Sequence, residues 1–253
     1  MKKLLLITMV LLLSTSIYAQ RSNNPVYWNT WEYTAKEGMD NDFRKAAAKK
    51  TAMFNKTPET AIMTYRIITG PDTGTYLRVE ANKTAADYDK DRTAEGKYWD
   101  ENVAKYVGKD NGQQRWQKLD NGSYDPDPED NSPSKYVRRT FFNVKADKIL
   151  HFRRPMTRIT KVAEKRGWKD TRSLFRLESG GNRNQFILAV GFDTYKRPET
   201  PEIETTWEED YNELFGWGTW DEDWKNFDAS LEYWGEQRDM LKLVPEMSTG
   251  MMN

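Results

Sequence analysis

The chain has 253 residues, in which 39 Lys and Arg balance 39 Asp and Glu, with ten tryptophans, one histidine and no cysteine. The charge balance carries no nucleic-acid signature; the missing thiols exclude disulfides and a cysteine nucleophile, and a single imidazole excludes a multi-histidine zinc centre. A chain of this length can bury a core without cross-links, as one large or two small domains.

Residues 1–19 come first. Lys2 and Lys3 precede the apolar run LLLITMVLLL (4–13), and a small-residue site ends at Ala19. That is the pattern of a cleaved secretory signal, and the run is too short to span a bilayer. The expectation is an exported protein, periplasmic or extracellular, with no membrane insertion after cleavage. A first half follows over 24–119. Aromatic and β-branched residues at 26–33 read as a strand. Met39, Phe43, Ala47 and Phe54 recur at helical spacing. TYRIITGPDTGTYLRVEAN (64–82) is a strand, a Gly/Pro/Asp turn and a second strand. Residues 85–106 read as a polar-aromatic helix, and 115–119 as a short closing strand.

The breaker-rich run DNGSYDPDPEDNSPS (120–134) reads as a linker. A second half (135–246) repeats the order. A strand is expected at 136–144. A helix carrying Ile149, Phe152, Met156, Ile159 and Ala163 follows, with a kink or a start at Pro155. The hairpin LFRLESGGNRNQFILAVGF (174–192) comes next, then a helical stretch over 206–238 broken near Gly216 and Gly218, and a strand at 240–244. Residues 247–253 read as a tail. The offset between the halves is steady: 109 from Tyr27 to Tyr136 and from Phe43 to Phe152, 110 from Arg66 to Arg176 and from Tyr76 to Phe186. The order β-α-β-β-α-β, written twice, is that of the split βαβ unit. The fold class expected is therefore α+β: two tandem ferredoxin-like (βαββαβ) halves with antiparallel sheets packed face to face, because one copy leaves a sheet face bare. A monomer with an internal pseudo-dimer follows.

The element order, the YRI and FRL strands and the tandem layout resemble the dimeric α/β-barrel superfamily, whose members include antibiotic-biosynthesis-monooxygenase-like and NIPSNAP-like proteins. The resemblance implies apposed sheets and a small-molecule pocket between sheet and helices. It transfers no catalytic residue, because the chain carries no diagnostic family motif.

The chain contains no GxGxxG, GxSxG or P-loop, and the glycines of ESGGN (178–182) join two strands as a turn. His151 has two readings, a haem ligand, since some relatives of the resembled fold bind haem, or an ordinary helix histidine; the second is preferred, and no cofactor is expected. Strand alternation puts Met63, Tyr65, Ile67, Leu77 and Val79 toward the helices. It puts Arg66, Arg78 and Glu80 on the bare face, where Arg176 and Arg138 join them. Charges at mid-strand are costly to bury unless paired. The cluster is either a set of inter-sheet ion pairs or a polar pocket whose arginines suit a carboxylate or phosphate. Trp220, Trp224, Phe227, Leu231 and Trp234 recur as a buried helical stripe does, a reading preferred over a sugar-binding surface. Residues 136–197 carry net charge +11 and residues 198–239 net −12, so the two blocks either face one another or are each a solvated face; for the basic helix over 148–166, compensation by the acidic segment over 204–239 is a simpler account than docking on an anionic surface.

Three functions remain open on these grounds: binding of a small, anionic ligand; a cofactor-independent oxygenase or isomerase of the resembled type, in which an acid such as Glu80 moves a proton; and a structural or interaction module of the cell envelope. A small molecule is the partner expected, not nucleic acid.

Overall fold

The computed structural model describes residues 24–130, 132–196 and 204–250. The signal expected over 1–19 lies outside the described residues. Among the described residues, eight strands and five α-helices follow in the order β1 (Tyr27–Ala35), α1 (Asp40–Phe54), β2 (Met63–Ile67), β3 (Tyr76–Lys83), α2 (Thr93–Asn102), β4 (Val107–Lys118), β5 (Tyr136–Val144), α3 (Ile149–Lys165), β6 (Thr171–Ser179), β7 (Gln185–Phe192), α4 (Trp207–Phe215), α5 (Thr219–Ser230) and β8 (Leu231–Leu243). The strands are antiparallel and close into one barrel in the order β1-β3-β2-β8-β5-β7-β6-β4. Two separate sheets laid face to face would leave four edges. Here β2 bonds β8 and β4 bonds β6, so every edge is used and none is left to recruit another chain.

Closure decides which face of each strand is dry, and it reverses the expected assignment. Tyr65, Ile67, Leu77, Val79 and Leu241 pack with Trp28 and Val137, all of them strand residues, inside the barrel. Trp116, Phe175, Leu177 and Ile187 continue that interior with Phe141. The helices cover the outer faces instead. Tyr33, Tyr76 and Val103 meet Phe43 and Ala47 of α1, and Phe142, Leu174 and Phe186 meet Phe152 and Met156 of α3 and Phe227 of α5. Each of these buried side chains contributes about 1.5–3 kcal/mol of hydrophobic stabilisation. Arg66, Arg78 and Glu80 alternate with the interior set, and so lie under the helices and not on a bare face.

Several boundaries differ from expectation for local reasons. Helix α3 starts six residues before Pro155 and runs through it, so the His151 carbonyl has no i+4 amide to accept from. The stretch expected to be helical to residue 238 changes to strand at Leu231. Between Glu236 and Leu231 the pairing with β5 skips from Phe142 to Val144, which extrudes Tyr233 and Trp234. Trp234 adopts a left-handed backbone and is exposed, so it leaves the buried tryptophan stripe. Strands β4 and β8 are longer than their apolar cores because their polar ends pair beyond the packed region. The segment read as a linker is pinned at its start: a Cβ on Gly122 would meet Leu174 Cδ2 at 2.4 Å, and Tyr124 donates to the Trp168 carbonyl at 3.0 Å. Met247 and Ser248, in the segment read as a tail, are buried, and the Met247 carbonyl accepts from Thr64 at 3.0 Å. Among the described residues no helix is long and apolar enough to cross a membrane.

Candidate functional site

The site is the sheet–helix space over β1 and β3. Cross-strand register sets Trp31 beside Arg78 and Asn29 beside Glu80. Helix α1 brings Lys50 and Thr51 to the same place, because 43, 47, 50 and 51 share one helical face. Helix α2 begins after Arg92 and puts Glu95 and Trp99 one turn apart. Together Trp31, Tyr33, Lys50, Ile62, Arg78, Arg92, Glu95 and Trp99 line a cavity of about 240 Å³. A second cavity of about 560 Å³ adjoins it, lined by Glu80, Lys83, Tyr88 and Arg115 among others, and shares Trp31, Arg92 and Glu95.

Arg92 stands between the two. Its Nη1 donates to Glu80 Oε2 at 2.9 Å, its Nη2 lies 2.5 Å from Glu80 Oε1, and its Nε donates to Glu95 Oε2 at 2.7 Å. Glu80 is fully buried, and its other partner is the Asn29 amide at 3.4 Å. Lys50 donates to Glu95 Oε1 and, at 3.0 Å, to Asn55 Oδ1. Burial, with Arg78 and Arg92 nearby, pushes the Lys50 ammonium down to about 8 in spite of Glu95. Burial works to raise the Glu95 carboxyl, but the Lys50 hydrogen bond and the two cations hold it below the usual range.

Arg78 is the group these pairs leave over. It is 2% exposed. Its Nη2 donates to Thr51 Oγ1 at 2.6 Å and its guanidinium sits 5.3 Å from the Trp99 ring centroid. Its Nε is buried with no hydrogen-bond partner. No carboxylate among the described residues lies within ion-pair distance of it, and burial pushes it down to about 10. Arg115, stacked 3.3 Å from the Tyr88 centroid in the adjoining cavity, also has a buried Nε without a partner. Cations buried in aromatic surroundings with donors to spare suit an anion.

Of the five residues expected to form one site, the structure brings Arg78 and Glu80 together. Arg66 lies further along the same outer face, 5.4 Å from the Tyr76 centroid and 3.8 Å from Asp40. Arg176 repeats that posture in the other run of strands, 5.7 Å from the Phe186 centroid, and donates to the Arg183 carbonyl at 2.9 Å. Arg138 is exposed on β5, and its neighbour Arg139 points into the barrel. There Arg139 donates to Asp239 at 2.7 and 3.1 Å and to Glu32 at 2.8 Å. A strand's two-residue period separates these adjacent arginines completely. Lys50, Arg92, Glu95 and Trp99 were not anticipated. A lysine on the Phe43–Ala47 face of α1 is the signal that pointed to them.

The opposed charge blocks do meet. Asp223 accepts from Arg158 at 2.7 Å and from Tyr211 at 2.6 Å, and Asp210 accepts from Lys165 at 2.8 Å and from Arg166. Helix α3 is thereby tied to α4 and α5. The sheet–helix space beneath α3 is filled by Phe142, Phe152, Phe186 and Phe227, with ring centroids 4.7–5.7 Å apart, and leaves no room for a haem there; His151 Nδ1 is buried without a hydrogen-bond partner. Among the described residues no group of three or more His, Asp or Glu is placed to hold a metal ion.

A closed antiparallel barrel with helices outside and a polar-aromatic cavity beneath them is similar in fold to solved monooxygenase-like and chlorite dismutase proteins. A monooxygenase-like protein from Fusobacterium nucleatum subsp. nucleatum ATCC 25586 superposes with a TM-score of 0.56 at 10% identity, over 87% of this chain and 93% of its own. A second, from Lactobacillus acidophilus NCFM, gives 0.53 at 12% identity over 90% and 96%. A chlorite dismutase variant from Candidatus Nitrospira defluvii gives 0.52 at 10% identity over 87% and 92%. No family model and no curated protein sequence matches the chain.

Proposed function

We propose that the protein binds a small anion in the cavity between β1, β3, α1 and α2, with Arg78 as the anchor and Trp31, Tyr33 and Trp99 as walls. The observation that carries this reading is Arg78 itself: a buried guanidinium with an unpartnered Nε and no carboxylate within ion-pair distance among the described residues, Glu95 and Glu80 acting on it only from further off. A structural ion pair would have supplied its own acid, as Arg139 has done with Glu32 and Asp239. The test is calorimetric titration with benzoate, phenylacetate and their neutral amides. Binding of the acids and not the amides supports the reading, and equal indifference to both overturns it.

A second reading, a cofactor-independent oxygenase, draws on the likeness to monooxygenase-like folds. It is checked by oxygen uptake against a panel of enolisable acids. Two further elements belong to the proposal. Strands β1–β4 and β5–β8, each in ferredoxin-like order, are two copies of one unit; the matching Arg66–Tyr76 and Arg176–Phe186 cross-strand pairs support this. The protein acts outside the cytoplasm, on the strength of the 1–19 pattern; a mature chain beginning at Gln20 is the expected mass.

A further inference from the structure

Lys50 is the feature of the cavity that anion binding alone does not use. Its amine is buried at the cavity wall, where Glu95 and Asn55 hold it. The charged groups that face it are Arg78 from β3, Arg92 from the turn before α2, and Glu95 from α2. We propose that Lys50 captures the carbonyl group of a 2-oxo acid as an imine, while the acid's carboxylate rests on Arg78. This deepens the anion-binding reading and rests on it.

The geometry supplies each part of that chemistry. Lys50 and Arg78 line one cavity of about 240 Å³, large enough for a small oxo acid. Burial, and after it the charges of Arg78 and Arg92, disfavour the Lys50 ammonium, so a useful fraction of free amine exists near neutral pH. The amine lone pair adds to the carbonyl carbon. Glu95, already bonded to Nζ, passes two protons in turn from nitrogen to oxygen: the first turns the alkoxide into the carbinolamine hydroxyl, and the second lets that hydroxyl leave as water. One C=O and two N–H bonds are exchanged for one C=N bond and one water, with no change in oxidation state. Trp99 and Tyr33 enclose the adduct and give an aromatic side chain a surface to stack on.

The test is reductive trapping of the full-length protein with phenylpyruvate and cyanoborohydride, followed by peptide mapping. The expected result is one adduct, on Lys50, formed at least ~10-fold faster at pH 7 than on surface lysines, because its amine fraction is larger. The trapping rate should rise with pH to a midpoint near 8. Arg78→Met should slow trapping of phenylpyruvate ~10-fold more than trapping of phenylacetaldehyde, which has no carboxylate and loses only the help Arg78 gives the free amine. Lys50→Arg keeps a cation for Glu95 and abolishes the adduct. Label spread evenly over surface lysines overturns the proposal. If Lys50→Arg and the wild type both bind phenylpyruvate calorimetrically but no adduct forms, the imine fails and the binding site stands; if neither binds it, both fail. Should Arg78→Met not fold, the wild-type comparison of acid with aldehyde decides the same point.

Discussion

Replacing Arg78 by methionine, a side chain of similar reach, should stabilise the protein and abolish its anion binding. Burial pushes the guanidinium well below its ordinary value, to about 10. At about 1.4 kcal/mol per unit this is a penalty on the order of 3 kcal/mol that methionine does not carry. Against it stand the Thr51 hydrogen bond at 2.6 Å, about 1.5 kcal/mol, and the Trp99 contact at 5.3 Å, about 0.5–1 kcal/mol. The balance favours Arg78→Met by on the order of 1 kcal/mol, in line with the stabilisation often seen when buried charges give way to apolar groups. Urea unfolding followed by near-ultraviolet circular dichroism measures it. Saturating benzoate should then raise the wild-type midpoint, by about 2.7 kcal/mol at a hundred times its Kd, and leave the variant's midpoint unmoved. A loss of more than about 2 kcal/mol in Arg78→Met would refute the reasoning. Arg78 would then be a satisfied structural ion, and the cavity an incidental gap.

Other perturbations follow from the same contacts. Arg92→Ala leaves the fully buried Glu80 with one long bond from Asn29, and should cost about 2–4 kcal/mol in urea unfolding, reduced because the Arg92 side chain is partly exposed. Asp223→Ala orphans both Arg158 and the Tyr211 hydroxyl and should cost about 2–3 kcal/mol, whereas breaking the exposed Lys161–Glu164 pair should cost less than about 0.5 kcal/mol. Lys50 titrates near 8 when folded and near 10.5 when unfolded, so between those values the unfolded chain holds more protons and stability rises with pH. From pH 8 to 10 the wild type should gain about 2 kcal/mol relative to Lys50→Met in matched urea titrations. Above pH 10 buried Tyr33, whose hydroxyl burial pushes up, reverses the trend for both proteins.

The order of the elements was legible because its signal is periodic: α3 and the two hairpins fall where alternation and 3.6-residue spacing put them. The inside of the barrel was not. Alternation separates Leu77 and Val79 from Arg78 and Glu80 without saying which set faces the helices, and hydrogen bonds from β2 to β8 and from β4 to β6 settle that choice. The same ambiguity hid Arg139 behind Arg138. The cavity itself depends on Arg92 and Glu95 folding back over β3 from a separate helix, a contact set by loop geometry that no local pattern encodes. The facing charge blocks were readable because net charge sums over many residues and tolerates boundary errors.

Native mass spectrometry of the protein purified from its own producing cells tests ligand capture most directly. The account predicts a wild-type mass that carries one small acid and an Arg78→Met mass without it. A bare wild-type mass, unchanged when benzoate or phenylpyruvate is supplied in excess, would contradict it.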